Sequence, residues 1–259
     1  MDLEKYRNVP LSFSGDEVTE SLIGSIFKYF ERINLNPYEQ AEWKKGIFKL
    51  FGVKTLNLPD LNSQNFIFAS NHISDFDAVF LGLLHPKIKI VSKSGWANNK
   101  DLMDFLKIHY DIEGIYRASE IEKLTGDEKK NASAHNFKLF KNLTKYLKNT
   151  EENHHLLIFP QGTISDINKN STARVNPGFA KMAFATGTGI VNMFTEYPEI
   201  GGITRVVCGQ PYFVTNKTLD YSKEWLDDVI SLQNQLEDVR TPVLSEKHSL
   251  NNNPEEPFF

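Results

Sequence analysis

The stretch Phe66-Ile67-Phe68-Ala69-Ser70-Asn71-His72-Ile73-Ser74-Asp75-Phe76-Asp77 decides how the chain folds. It opens on an apolar run of the kind that a strand buried on both faces carries. After it, Ala78-Val79-Phe80-Leu81-Gly82-Leu83-Leu84 has the character of a helix start. Between the two lies a polar turn that holds a histidine and a carboxylate five positions apart. On a straight helix that spacing points side chains in different directions. Across a strand-to-helix turn the chain can fold back, so that Asp77 in the first helical turn faces His72.

Working outward, short apolar runs alternate with helical segments from about residue 60. Strands are expected at Phe66–Ser70, Ile88–Ser92, Gly114–Tyr116, Leu156–Phe159, Ile190–Phe194 and Ile203–Val207, with a last one near Tyr212–Val214. Helices are expected at Asp77–Leu84, Asn99–Tyr110, Lys130–Lys148, Gly178–Ala185 and Ser222–Val239. In the third of these, Phe137, Phe140, Leu143 and Leu147 form one stripe, which predicts packing on a sheet, with Lys138, Lys141, Lys145 and Lys148 on the solvated side. Asn176-Pro177 suits a helix start, and Gly187 a helix stop. Such alternation predicts an α/β fold, with a mostly parallel central sheet flanked by helices. His154-His155 reads as loop, and Phe105, Tyr212 and Trp225 as core.

Ahead of this unit, Leu22, Ile23, Ile26, Phe27 and Phe30 recur at helical steps. Asn36-Pro37 breaks the run, and a second helix carries Trp43, Ile47, Leu50 and Phe51 on one face. The organisation expected is therefore an N-terminal helical hairpin over 1–58, an α/β domain over 59–244 and a flexible, Asn-rich tail over 245–259. Lys44, Lys45 and Lys49 beside Trp43 and Phe48 make the second helix similar to one lying at a membrane surface. The same face could instead cover the domain's own sheet.

The chain has 259 residues, 40 % hydrophobic and 24 % charged, which is enough for a packed core and unlike a disordered chain. A formal net charge of −4 gives no general attraction to nucleic acid or to anionic lipid, so any membrane contact must be a local patch. Cys208 is the single cysteine, which leaves no intrachain disulfide and no Cys-based zinc site and fits a reducing, cytoplasmic setting. Met1-Asp2-Leu3-Glu4-Lys5 lacks the basic start of a signal peptide, and no apolar run reaches the roughly 18–20 residues of a membrane span.

Three features carry chemistry. A neutral imidazole can take a proton from an alcohol near neutral pH, and a carboxylate on its other nitrogen fixes the tautomer. His72 and Asp77 suit those roles, although Asp77 as a plain helix cap and a metal site of His72, Asp75 and Asp77 are both open on spacing alone. Ile158-Phe159-Pro160-Gln161-Gly162-Thr163 ends a strand in a tight loop, whose backbone N–H groups and hydroxyl can hold an anionic oxygen. Gly114-Ile115-Tyr116-Arg117 delivers a guanidinium at a strand end, and Lys93 follows Ile90-Val91-Ser92 in the same way; each is either a phosphate contact or a surface cation.

The order of these features, His-x4-Asp at His72 and Asp77, then Gly-x-x-Arg at Arg117, then Phe-Pro-x-Gly-Thr at residues 159–163, resembles the glycerolipid acyltransferase family. The resemblance covers roughly residues 65–215. It implies transfer of a fatty acyl group from acyl-CoA or acyl carrier protein to the hydroxyl of a lysophospholipid, most simply 1-acylglycerol 3-phosphate. It implies His72 as base, Asp77 as its orienting partner, and Lys93, Arg117, Gln161, Gly162 and Thr163 as acceptor-binding residues. It also implies no metal, no cofactor beyond the acyl donor, no nucleic-acid partner, and a peripheral place on the inner face of the cell membrane. Glycerol 3-phosphate, a non-phosphate lipid, or lipid binding without turnover are the alternatives. Three positions depart from the family pattern: Gln161 for glutamate, Ile164 for arginine, and Asn192-Met193 where a proline is usual.

Overall fold

A computed structural model describes residues 54–73, 76–82, 84–85, 87–93, 111–149, 151–162, 175–196, 205–216 and 220–250. Residues 1–53 of the expected N-terminal hairpin, the helix at Asn99–Tyr110 with Phe105, and Thr163 lie outside them.

The described strands are β1 (Lys54–Leu56), β2 (Phe66–Ser70), β3 (Ile88–Lys93), β4 (Asp111–Ile115), β5 (His155–Ile158), β6 (Gly189–Glu196) and β7 (Arg205–Cys208). They form one sheet in the order β1-β7-β6-β2-β5-β3-β4. The run β6-β2-β5-β3-β4 is parallel throughout; β7 pairs antiparallel with β6, and β1 lies parallel to β7. The expected parallel-rich α/β sheet is what forms. The helices are α1 (Phe76–Gly82), α2 (Ala118–Lys123), α3 (Gly126–Lys148), α4 (Gly178–Thr186) and α5 (Tyr221–Leu250).

Alternation along the strands divides the core. Ile67, Ala69, Leu156, Ile190, Phe194 and Val207 share one cluster with Leu139, Leu143 and Leu147 of α3, Phe179 and Met182 of α4, and Trp225, Val229 and Leu232 of α5. Phe66, Phe68 and His155 alternate with them and are buried too. Each large side chain in such a core contributes about 1.5–3 kcal/mol. The Trp225 indole N–H also donates to the Ala69 carbonyl at 3.0 Å, which fastens α5 to the middle of the sheet. Gly187 ends α4 at φ 69°, a left-handed value that favours glycine.

Several elements depart from expectation. Lys54–Leu56 pairs with β7, although the sequence reading leaves these residues in the N-terminal helical segment. Tyr212 makes a single bridge to Ile190 rather than a strand. α5 continues through Leu250, beyond residue 245 where the tail was expected. His155 is the first residue of β5, not loop, and both His154 and His155 are buried. Leu143 and Leu147 pack on the sheet with Ala132 and Leu139, but Phe137 and Phe140 of the expected stripe are exposed.

Candidate active site

Parallel pairing brings the chemistry-bearing loops together. β2 and β5 are neighbours, with Ala69 opposite Ile158. Three residues further along each chain stand His72 and Gln161, so the register itself sets them side by side beyond the strand ends. The contact follows: the His72 backbone N–H donates to Gln161 Oε1 at 3.0 Å. The Phe159 ring, from the same β5 end, stacks on the His72 imidazole at 4.3 Å and 23°. Gly162 closes the turn by donating its N–H to the Phe159 carbonyl at 2.9 Å, at a φ of 66° that favours glycine.

His72 and Asp77 meet. Nδ1 of the imidazole lies 2.9 Å from Asp77 Oδ2. The same oxygen accepts the Ile73 N–H at 2.8 Å, and the Asp77 side chain is fully buried. An ionised carboxylate can only accept, so Nδ1 carries the hydrogen, and in the neutral ring Nε2 is the nitrogen with the lone pair. Asp75, the third member of a metal reading, lies outside the described residues.

Asparagine amides hold the loops. The Asn71 side chain donates to the Thr195 carbonyl at 2.9 Å and accepts the Thr195 N–H at 2.7 Å, as one more strand residue would. This extends the β2–β6 pairing up to His72. Asn136 of α3 does the same for Tyr116, donating to its carbonyl at 2.7 Å and accepting its N–H at 3.0 Å. That fixes the residue before Arg117, whose own N–H donates to Glu120 Oε2 at 2.8 Å. Sequence reasoning gave Asn71 and Asn136 no role.

These loops ring a cavity of about 470 Å³. Its polar lining includes His72, Ser92, Arg117 and Asn136; its apolar lining includes Ile158, Leu143, Phe179 and Met182. Ligands of open parallel sheets bind in the crevice at the carboxyl ends of the strands, which is where this cavity lies. Arg117 Nε is buried without a hydrogen-bond partner among the described residues. A buried donor left unpaired costs roughly 1–3 kcal/mol, so a guanidinium held this way suits an anion entering the cavity.

Of the residues expected at the site, His72, Arg117 and Gly162 line one cavity, and Asp77 stands behind His72. Gln161 is buried and turned onto the His72 backbone. Lys93 closes β3, paired with Ile115 of β4. Asn192, one of the two residues near the point where a proline was expected, donates to Asp228 Oδ2 of α5 at 2.7 Å. Cys208 is buried in β7, and burial pushes its thiol up to about 12, so it offers no thiolate near neutral pH.

Fold and site together define an α/β protein that presents a histidine–carboxylate pair at the rim of a largely apolar cavity. The acyltransferase family model matches residues 49–195, more than half of the chain, and the protein belongs to that family. Among solved structures it is similar to the crystal structure of the 1-acyl-sn-glycerophosphate (LPA) acyltransferase, PlsC, from Thermotoga maritima. That similarity is at 12 % identity and a TM-score of 0.45, covering 83 % of this chain and 88 % of the other. No curated protein matches it. Among the described residues no helix is long and apolar enough to cross a membrane.

Proposed function

We propose that the protein moves a fatty acyl group from acyl-CoA or acyl carrier protein to a hydroxyl of a lysophospholipid, with 1-acylglycerol 3-phosphate as the acceptor. The observation that carries this is the His72 Nδ1–Asp77 contact of 2.9 Å at the rim of an apolar cavity that Arg117 also lines. Nε2 takes the proton of the acceptor hydroxyl as its oxygen attacks the thioester carbon. The tetrahedral adduct collapses, the C–S bond breaks, and the imidazolium returns the proton to the leaving thiolate. Asp77 stabilises the imidazolium between these steps. Arg117 takes the acceptor phosphate, Gly162, Thr163 and Lys93 are assigned to binding the same acceptor, and the apolar lining takes a hydrocarbon chain. Gln161 holds the loop that carries the base. The work is done on the inner face of the cell membrane.

Thiol release from acyl-CoA with lysophosphatidic acid tests the proposal. His72→Ala should lower kcat by about 10²–10⁴-fold, and a chelator should change nothing. Arg117→Ala should raise KM for a phosphate-bearing acceptor and leave KM for a phosphate-free analogue unchanged. Full turnover in His72→Ala, or loss of turnover on chelation, would refute it.

A further inference from the structure

α3 buries Ala132, Leu139, Leu143 and Leu147, which accounts for one side of the helix. Phe137, however, is 62 % exposed and Phe140 is 36 % exposed. Both line the cavity, so these rings stand at its rim. At about 100° per residue, Lys141 and Lys148 fall within about 40° of Phe137, and Lys145 and Lys138 lie on the same side at about 80° and about 100° from it. All four lysines are exposed. Between Asn131 and Lys148 the helix has no acidic residue, in a chain whose formal net charge is −4. Lys141 lies over the Phe137 ring at 4.5 Å from its centroid. Among the described residues, Lys138, Lys145 and Lys148 meet no carboxylate.

Exposed rings next to an unbalanced row of ammonium groups complement one kind of surface, an apolar layer edged with negative headgroups. We infer that the Phe137–Lys148 face of α3 docks on an anionic lipid bilayer, with the cavity rim turned toward the lipid. This rests on the proposal that the cavity takes a lipid, and it adds the route: the acceptor slides in past Phe137 and Phe140 without crossing water. An acidic carrier protein would also complement the lysines. Two aromatic rings on the rim of an apolar cavity favour the bilayer.

Flotation of the full chain decides, using vesicles of phosphatidylcholine alone and of phosphatidylcholine with phosphatidylglycerol. The protein should float with the anionic vesicles, and less so as salt rises. The triple variant Lys138→Gln/Lys145→Gln/Lys148→Gln should bind them on the order of tenfold or more weaker, and Phe137→Ser should bind both kinds less well. The triple variant should keep its turnover of a short-chain, water-soluble lysophosphatidic acid with acyl-CoA. Undiminished flotation of the triple variant overturns the inference, as does undiminished flotation joined to lost turnover with an acyl-carrier-protein donor. Absence of turnover in the unaltered protein would instead sink the transferase proposal, while flotation still decides the docking face.

Discussion

Acidification should destabilise this protein well before its carboxylates titrate, and His155 is the reason. Its ring is fully buried at the start of β5, packed beside the Phe66 and Phe68 rings and edge-on to His85 at 4.8 Å. The Phe66 N–H donates to Nδ1 at 3.2 Å, so Nδ1 must be bare, and Nε2–H donates to the Leu61 carbonyl at 3.1 Å. The neutral tautomer is therefore satisfied at both nitrogens. A second proton would sit on Nδ1, facing another N–H, with no water to solvate the charge. Burial, with His85 adding to it, holds the pKa down to about 4, against 6.5 in an unfolded chain. A depressed histidine pKa means that the unfolded state binds the proton first. The stabilisation is whole above pH 6.5 and is lost as pH falls toward 4. At about 1.4 kcal/mol per pH unit, the loss is about 2 kcal/mol by pH 5 and about 3 kcal/mol by pH 4. His85, also lowered by burial and by Lys87, acts in the same direction. Urea unfolding at pH 7, 6 and 5 measures the slope. His155→Gln keeps one donor and one acceptor but cannot titrate. It should be less stable at pH 7 and should lose less stability on going to pH 5. If both proteins lose the same amount over that interval, the buried neutral imidazole is not what sets the slope.

Two further outcomes follow from the loops around the site. Gln161→Leu removes the acceptor of the His72 N–H, which should cost about 1–3 kcal/mol in urea unfolding and, with His72 as the proposed base displaced, about tenfold or more in kcat. Gln161→Glu keeps the acceptor but adds a negative charge beside His72, the proposed base. That favours the imidazolium, so the acid limb of the kcat/KM profile should move to higher pH while the alkaline rate is retained. Asn71→Ala strands the buried N–H and C=O of Thr195, and about 2–5 kcal/mol of stability should go with them, read from the urea midpoint; an unchanged midpoint would mean that the amide does not extend the sheet.

Much of this architecture is legible in the sequence because burial on both faces leaves an apolar run that little else imitates. Phe66–Ser70 and Ile190–Phe194 are such runs, and each lies in a central strand. Lys54-Thr55-Leu56 is too short and too polar to announce an edge strand. Phe137 and Phe140 show a different limit. A residue facing a ligand cavity and a residue facing a core follow the same helical period, so the stripe with Leu143 and Leu147 could not be divided in advance. His155 looks like loop because imidazole counts as polar, yet a neutral ring with both nitrogens paired packs like any aromatic side chain. Asn71 and Asn136 are opaque for a related reason. An asparagine in a turn ordinarily bonds its own backbone, and only the fold reveals that these amides pair with a distant strand or loop.

The Gln161 departure becomes intelligible through register. Ala69 opposite Ile158 sends two loops out of the sheet in parallel, and the residue three beyond Ile158 must satisfy the backbone N–H three beyond Ala69. That duty needs an oxygen acceptor on a side chain of this length, and an amide oxygen meets it as well as a carboxylate does. What a glutamate would add is a charge next to His72, and Asp77 already holds a buried carboxylate on Nδ1. A second negative charge on the other side of the His72 turn would favour the imidazolium and leave less of the ring unprotonated near neutral pH. Placement of His72 and tuning of its charge are thus separable at this position, because one atom of Gln161 serves the first and the second depends only on what the rest of the group carries.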